Sequence, residues 1–377
     1  MKKLLYITDQ GEYIDHSFIG PLFETYLKKY LTIDIVYFTD FKSDFEKQDE
    51  HRFVIPTRYK TSLLNELSRN DVDVSSYSYV IVRNDIAILK HAIKQKVNYN
   101  FKLGFRLSFP KRRAKLKVNI AHNKATFFNK MVSKIKNVYE MNIINNCDFF
   151  LPTSQSMQDE FFPDVTIKSM ICPAGIDPNI IHENIQHVGK EKRFFYAGTL
   201  DKLRKFETIL EAFSKVKDDK WELLISTIDP KYAKEMIKRY PNIKDNVYIY
   251  NAQTKEELLD LIAKADIGVS LLPDLPIYNT STPVKTLDYY SSTVPCLMTN
   301  TAHVNKIFTD NIDAWFCNFN QEDITKKIEY ILTLSKEEVA QIGVKGQERL
   351  LDVRNYEKIA KELAQQLESL YDSKEMN

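Results

Sequence analysis

The chain has 377 residues, of which 44% are hydrophobic and 28% charged, the proportions of an ordinary soluble globular protein. This length exceeds what one hydrophobic core usually supports, so two domains are expected. The net charge is only +2, and no stretch approaches the about 20 apolar residues of a membrane-spanning helix. The four cysteines are widely separated and form no C-x-x-C pair, which favours buried thiols in a reducing cytoplasm.

Short apolar strands alternate with helical patterns in the first half of the chain. Strands are predicted at Leu4–Thr8, Ile33–Phe38 and Tyr79–Val82, and an amphipathic helix at Phe18–Tyr30. Another short apolar run, Cys147–Pro152, ends in a turn. These patterns are typical of an α/β domain.

The first half also carries an uneven charge distribution. Residues 86–139 contain fourteen Lys or Arg and no Asp or Glu. Such a block is either a solvated face or a docking surface for polyanions.

A clearer alternation begins after the polar segment His182–Lys192, which is the best candidate for a linker. Strands and helices are predicted in turn at Arg193–Ala197, Phe206–Val216, Trp221–Ser226, Pro230–Arg239, Val247–Tyr250, Lys255–Lys264, Ile267–Leu271, Pro283–Ser291 and Cys296–Met298. Regular alternation of this kind predicts a parallel sheet. A last helix, Tyr356–Tyr371, is expected to pack back onto the first domain.

The predicted fold is therefore α/β, with two Rossmann-like doubly wound domains facing across a cleft. Residues 1–182 are assigned to the first domain, residues 183–355 to the second, and residues 356–377 to the C-terminal helix.

Several common sites are excluded by the spacing of glycines and histidines. None of the nine glycines forms G-x-G, so the dinucleotide fingerprint is absent, and no P-loop motif occurs. The spacing H-E-x-x-x-H from His182 to His187 places two imidazoles poorly on one helical face, so a zinc site is not expected. Phosphate binding then depends on helix N-termini and basic side chains.

The segment Thr280–Asp288 (T-S-T-P-V-K-T-L-D) combines these two features. Thr282 is a good N-cap and Pro283 occupies the favoured first helical position. The helix follows a strand, so its N-terminus is expected at the carboxyl edge of the sheet, where α/β proteins bind ligands. Lys285 adds a positive charge there, and Asp288 lies one turn deeper on the same face. A cation for phosphate with a carboxylate behind it suits a nucleotide, although a plain capped surface helix would carry the same residues.

Five segments, in order, resemble the GT-B glycosyltransferases like family 4, also called group 1. The segments are C-D-F-F-L-P-T-S ending at Ser154, P-A-G-I-D ending at Asp177, F-F-Y-A-G-T-L around Gly198, A-D-I-G-V-S ending at Ser270, and P-V-K-T-L-D beginning at Pro283. The resemblance covers residues 145–300 well and the first 140 residues weakly.

The resemblance implies an acceptor-side first domain and a donor-binding second domain. It implies catalytic roles for Arg204, Lys285 and, on the acceptor side, His122. The donor contacts implied are Gly198, Thr199, Lys205, Asn251, Gln253, Thr280, Ser281, Thr282, Pro283 and Asp288. The chain departs from the family in its acids, since Thr280 stands where an acid often faces the sugar and Asp288 where the family has Glu. It also departs in the pair of phosphate-binding cations, since Thr199 replaces one of them and the other is Arg204.

The implied function is transfer of a hexose-type sugar from a nucleoside-diphosphate sugar to a glycan or lipid-linked acceptor in the synthesis of bacterial surface polysaccharide or glycoconjugate. The family implies retention of configuration, with no metal and no cofactor. The basic stretch Lys90–Lys136 would dock a cytoplasmic enzyme on the anionic inner face of the cell membrane.

Other interpretations stay open at this point. A sugar-nucleotide epimerase shares the two-domain fold, and a non-catalytic sugar-nucleotide-binding relic would explain the missing acid at Thr280. A nucleic-acid-binding protein would also use a basic block, but no nucleic-acid-binding motif accompanies it.

Overall fold

The computed structural model describes residues 1–11, 18–121, 125–180, 189 and 191–372. The chain divides into two compact units, Met1–Ala174 with the chain from Tyr356 onward, and Gly175–Asn355. The boundary therefore lies before the polar segment chosen from the sequence. The reason is a backbone pairing, since the Ile176 N–H donates to the Arg354 carbonyl at 2.8 Å and joins the entry and exit of the second unit.

The described residues before 175 form eight strands and five α-helices. The strands are β1 Lys3–Gly11, β2 Thr32–Thr39, β3 Glu46–Lys47, β4 Arg52–Pro56, β5 Tyr77–Arg83, β6 Lys102–Leu107, β7 Phe149–Pro152 and β8 Lys168–Ser169. The helices are α1 Leu63–Arg69, α2 Ile86–Gln95, α3 Lys111–Ala121, α4 Phe127–Ile144 and α5 Gln155–Phe161.

The described residues that follow form six strands and eight α-helices. The strands are β9 Lys192–Ala197, β10 Trp221–Ser226, β11 Val247–Tyr250, β12 Ile267–Ser270, β13 Cys296–Thr299 and β14 Trp315–Cys317. The helices are α6 Phe206–Ser214, α7 Pro230–Ile237, α8 Lys255–Ile262, α9 Pro276–Asn279, α10 Val284–Ser291, α11 Gln321–Thr333, α12 Lys336–Val353 and α13 Tyr356–Asp372. None of the described helices combines the length and apolar character needed to cross a bilayer.

The first unit is built on an eight-stranded sheet in the order β3-β4-β2-β1-β5-β6-β7-β8, parallel apart from the short antiparallel β3. Its strands are apolar on both faces because helices cover both, as expected for a parallel sheet. The order reverses between β1 and β5, so the carboxyl ends of these two strands flank a ligand-binding position.

Helix α13 belongs to the core of the first unit. Its apolar side chains recur with helical spacing and join the buried cluster under β1, with Leu363 and Leu367 among them. The Tyr79 hydroxyl donates to the Leu367 carbonyl at 3.0 Å, and the Tyr371 hydroxyl donates to the Ser78 carbonyl at 2.6 Å. The chain end is thereby tied to β5.

The helix predicted over 18–30 differs from the structure. Gly20–Tyr26 forms a π-helix, and Leu27–Lys29 continues as a single 3₁₀ turn. Pro21 has no N–H to donate and stands in the first turn, where it weakens the ordinary helical ladder. The apolar face predicted for the helix is retained, since Leu22, Phe23 and Tyr26 are buried.

The second unit has a six-stranded parallel sheet in the order β11-β10-β9-β12-β13-β14. This is the doubly wound Rossmann order, with its reversal between β9 and β12, where Phe194 pairs with Ile267. The predicted α/β class with two parallel-sheet domains is confirmed. Strand β14 and helices α11 and α12 were not among the elements predicted from the sequence.

Gly104 provides a test of packing in the first sheet. A Cβ there would lie 2.1 and 2.2 Å from atoms of the buried Phe149 ring on the neighbouring strand. We expect Gly104→Ala to lower the free energy of unfolding by about 1–3 kcal/mol in urea titrations. Gly11→Ala is the control, because its nearest atom is the Phe38 carbonyl oxygen at 3.6 Å. Equal losses in both variants would contradict the packing.

Candidate functional site

The carboxyl ends of β9 and β12 meet at the reversal of strand order in the second unit. Strand β9 leads into Gly198, whose φ of +142° is a backbone conformation that glycine adopts far more easily than other residues. The Gly198 N–H donates to the Ser226 carbonyl at 3.0 Å, which holds the turn against β10. The chain therefore turns sharply at the sheet edge where ligands are bound in this fold.

Lys285, in the first turn of α10, reaches across both strands. Its Nζ donates to the Val269 carbonyl of β12 at 3.1 Å and lies 4.1 Å from the centroid of the Tyr196 ring of β9. Loss of hydration, together with the positive charge of Arg204, lowers the pKa of Lys285 to about 7. Among the described residues, this ammonium group contacts a carbonyl and an aromatic face, a setting that favours an incoming anion.

Arg204 is held by the loop that follows Gly198. Its Nη1 contacts the Thr199 hydroxyl and the Asp201 carboxylate. The other carboxylate oxygen of Asp201 accepts the backbone N–H groups of Leu203 and Arg204, each at 3.0 Å. The structure therefore brings Arg204 and Lys285 together, and it adds an acid that balances Arg204.

This loop also contains Thr199 and Lys205, two further residues predicted to contact the donor. Thr199 contributes the hydroxyl that contacts Arg204, and its carbonyl accepts the Tyr196 hydroxyl at 3.3 Å. Lys205 is exposed and has a φ of +48° immediately before α6. Arg204, rather than Lys205, is the cation whose charge acts on Lys285.

The predicted N-cap of α10 is wrong. The helix begins at Val284, Pro283 is the N-cap residue, and no side chain caps the first turn. Thr282 Oγ1 is instead hydrogen-bonded to His303 Nε2 at 3.1 Å. Burial and two nearby cations lower the pKa of His303 to about 4, so the imidazole is neutral near pH 7.

Asp288 lies on α10 as predicted but has a partner that the sequence did not indicate. Its Oδ1 pairs with the Lys255 ammonium at the start of α8. Burial raises the pKa of Asp288, and the positive charge of Lys255 opposes that shift. The pair links α10 to the first residue of α8, next to the loop that precedes α8.

That loop contains Asn251 and Gln253, both predicted to contact the nucleotide. The Gln253 N–H donates to the Glu257 carboxylate at 2.7 Å, and the Glu257 N–H donates to the Thr254 hydroxyl at 3.1 Å. Thr254 is the N-cap of α8, and Glu257 binds the backbone one residue before it, so the two bonds fix the loop against α8. The side-chain Nε2 of Gln253 also donates to the Asn251 carbonyl at 3.3 Å.

Thr280 and Ser281 precede α10. Thr280 is buried, and its hydroxyl donates to the Pro276 carbonyl at 2.8 Å, where it ends α9. Ser281 is half-buried beside it. Thr280 therefore has a local structural bond in the position where the resemblance implies an acid.

Tyr278 was missed from the sequence. Burial raises its pKa, and the positive charge of Arg204 opposes that shift. With Pro283, Thr299 and Thr301 it lines a cavity of about 20 Å³ beyond β12 and β13. No motif marks this residue, because its place depends on a short helix in a connection between strands.

His122 lies outside the described residues. Elsewhere in the first unit, Arg106 is buried, and its Nη1 donates to the Cys172 carbonyl at 2.8 Å. A cavity of about 450 Å³ opens at the carboxyl ends of β1, β5 and β6. Arg83 Nη1 pairs there with Asp9 at 3.0 Å, and the Asn84 amide donates to the Ser108 hydroxyl at 2.8 Å. This is the polar edge of the first sheet.

The model of the family "Glycosyl transferases group 1" matches residues 177–349, which span the site just described. The second unit, Gly175–Asn355, thus matches the group 1 glycosyltransferase family over nearly its whole length. The resemblance stated from the sequence is thereby confirmed for the part of the chain that this model covers. No curated protein sequence matches the chain.

Solved structures of GT-B glycosyltransferases share the fold of the whole chain. Sucrose-phosphate synthase from Thermosynechococcus elongatus has a TM-score of 0.70 at 14% identity, covering 99% of this chain and 100% of its own. HepE from Anabaena, solved with UDP and glucose, has a TM-score of 0.67 at 11% identity, covering 97% and 100%. The UDP-forming α,α-trehalose-phosphate synthase from Burkholderia xenovorans, solved with glucose-6-phosphate, has a TM-score of 0.70 at 10% identity, covering 97% and 100%.

The ionisation of Lys285 can be measured directly. In protein labelled with ¹³C at lysine Cε, we expect one lysine signal to titrate with a midpoint near 7, because burial and Arg204 disfavour the charged form. Lys285→Arg should remove this signal, and Arg204→Gln should raise its midpoint by removing a like charge. If every lysine titrated near the ordinary value of about 10.4, the proposed environment of Lys285 would be incorrect.

Proposed function

We propose that this glycosyltransferase moves a hexose-type sugar from a nucleoside-diphosphate sugar to a glycan or lipid-linked acceptor. The observation that carries the proposal is the contact set of Lys285, an ammonium between a strand carbonyl and an aromatic ring at the reversal of strand order. An anion of high charge density, such as a diphosphate, is the ligand that best compensates such a group.

In this proposal the diphosphate binds between Lys285 and Arg204. The first turn of α10 has no capping side chain, so its backbone N–H groups and the helix dipole add to the attraction. Arg204 is suited to bidentate binding of phosphate, in competition with Asp201.

The nucleoside is proposed to lie toward α8. The loop of Asn251 and Gln253 would contact the base through its backbone, and Asp288 would accept a ribose hydroxyl through Oδ2 while Lys255 holds Oδ1. Gly198 and Thr199 would border the diphosphate, and Thr280, Ser281 and Thr282 the sugar. Lys205 would add positive charge at the entrance.

The reaction breaks the bond between the anomeric carbon and the diphosphate oxygen, and the acceptor oxygen forms the new bond. Negative charge develops on the departing diphosphate, and the positive charges of Lys285 and Arg204 would stabilise it. We propose retention of configuration, with the acceptor proton passing to the departing phosphate and with neither metal nor cofactor, as the family resemblance implies. His122 remains the proposed polar group on the acceptor side.

We further propose that the acceptor belongs to bacterial surface polysaccharide or glycoconjugate synthesis and that the enzyme works at the cytoplasmic face of the cell membrane. The support is the basic stretch Lys90–Lys136, whose positive charge would be attracted to anionic lipid.

The proposal is tested by calorimetry with UDP, GDP and their sugars, followed by product analysis. We expect one nucleoside diphosphate to bind below millimolar, and its sugar to be transferred or slowly hydrolysed at the anomeric carbon. Release of an epimerised sugar nucleotide would indicate an epimerase, and binding without turnover would indicate a non-catalytic relic. If no nucleoside diphosphate binds below millimolar, the glycosyltransferase proposal for this site fails.

The two cations are tested by Lys285→Ala and Arg204→Ala. Each variant is expected to lower kcat/KM by about 10²–10³-fold, because each removes one interaction that strengthens as the diphosphate departs. Lys202→Ala is the matched control, since Lys202 is an exposed lysine of the same loop. Its kcat/KM is expected to stay within about twofold of the parent value. Unchanged turnover in Lys285→Ala would remove its assigned role.

A further inference from the structure

We propose that the exposed face of α4 is a docking surface for anionic lipid bilayers. This inference identifies the surface that would contact the membrane proposed above as a partner. It rests on the proposed function only for the advantage that docking would give the enzyme. The surface itself is defined by the side chains of α4.

Six apolar side chains of α4 are exposed. They are Phe127 (82% exposed), Phe128 (67%), Met131 (48%), Ile135 (61%), Val138 (55%) and Tyr139 (49%). Single exposed apolar residues are normal on protein surfaces, but a continuous set marks an interaction site. At about 100° per residue, these six fall within one arc of the helix, so they form a stripe along it.

The opposite side of α4 packs onto the first unit. Ser133, Met141 and Ile144 are buried. Glu140 accepts hydrogen bonds from Arg112 at 2.9 and 2.6 Å, and from Arg113 at 3.2 Å. The helix is therefore already anchored by its other face, and the apolar stripe is not needed for the fold of α4.

Lysines flank the stripe on both sides. In the helical projection, Lys130 and Lys134 lie beside one edge of the stripe, and Lys136 lies beside the other edge. All three are exposed, and Glu140 is the one acid of α4. An apolar stripe between cations is the pattern of a helix that lies in the plane of an anionic membrane surface.

The rest of the basic stretch is largely occupied within the first unit. Arg106 and Arg113 are buried, Lys96 pairs with Asp148 at 2.5 Å, and Lys117 pairs with Glu160. The compensating acids follow the stretch in the sequence. The charge left for a partner is therefore concentrated on α4 and on a few exposed lysines.

Anionic lipid is favoured over a second copy of this chain as the occupant. In a symmetric pair, the stripe would face itself and bring the same three lysines together without acids to balance them. A bilayer of anionic lipid offers an apolar interior for the stripe and negative headgroups for the lysines.

The experiment is vesicle co-sedimentation of the full chain with pure phosphatidylcholine and with vesicles containing about one third phosphatidylglycerol. We expect binding to the anionic vesicles that weakens with salt. Phe128→Ser with Ile135→Ser should lower the partition coefficient at least about tenfold, and Lys130→Gln, Lys134→Gln and Lys136→Gln together should do so at least about tenfold.

Matched controls use exposed side chains elsewhere. Phe41→Ser removes an aromatic residue that is 92% exposed in the same unit. Lys215→Gln, Lys217→Gln and Lys220→Gln together remove the same charge from exposed positions of the second unit. Both controls should bind vesicles like the parent.

A second measurement reports insertion. Ile135→Trp should show a blue shift of fluorescence on anionic vesicles, whereas Phe41→Trp should not, and both native tryptophans, Trp221 and Trp315, are buried. Equal binding to neutral and anionic vesicles would overturn the proposal. So would unchanged binding in the α4 variants, or dimerisation of the parent that those variants abolish.

Nucleotide affinity separates this proposal from the proposed function. The α4 variants should bind nucleoside diphosphate like the parent, as measured by calorimetry. A parent chain that binds anionic vesicles but no nucleotide would leave the docking surface standing and remove the glycosyltransferase site.

Discussion

The second unit depends on one costly arrangement, a lysine ammonium withdrawn from water that contacts a carbonyl and an aromatic ring, but no carboxylate, among the described residues. The carbonyl of Val269 and the ring of Tyr196 compensate Lys285 only in part, as its pKa shows by falling from the ordinary value near 10.5 to about 7. Removing a cation from water costs several kcal/mol unless it is paired. The proposed diphosphate would pair with this cation, so its binding would offset part of that cost.

The position of α10 makes this arrangement possible. Gly268 of β12 lacks a Cβ, and an added one would lie 2.3 Å from the ring of Tyr289, so the helix can approach the strand closely. The Tyr289 hydroxyl accepts the Ala197 N–H of β9 at 2.9 Å. Helix α10 is thus fixed to both strands at the reversal, and Lys285 inherits its position from these two contacts.

Much of this was predictable because the signals are local. The strands of the second unit are short apolar runs bounded by polar or turn residues, and Trp221–Ser226 and Val247–Tyr250 have the predicted bounds. The segment from Pro283 to Asp288 follows a strand, which sufficed to predict a helix start at the sheet edge. The two-domain α/β fold followed from the same alternation.

The remaining features depend on partners distant in the sequence. Thr282 has the chemistry of an N-cap, but His303 competes for its hydroxyl, and nothing near Thr282 indicates that. Lys255 reaches Asp288 from another helix in the same way. Asp201 is close to Arg204 in the sequence, but no motif marks it as the acid that balances the Arg204 guanidinium.

The basic stretch shows how composition and surface differ. An acid-free run of fourteen cations suggests a uniform positive face, yet Glu140, Asp148 and Glu160 lie just beyond it and fold back onto it. Charge that is compensated inside the unit cannot attract a partner. What distinguishes α4 is the coincidence of exposed lysines with exposed aromatic and aliphatic side chains, which neither charge counting nor hydropathy alone detects. Because the acids neutralise the packed side of the helix and leave its outer side positive, the same ion pairs that stabilise the first unit also direct its remaining charge outward.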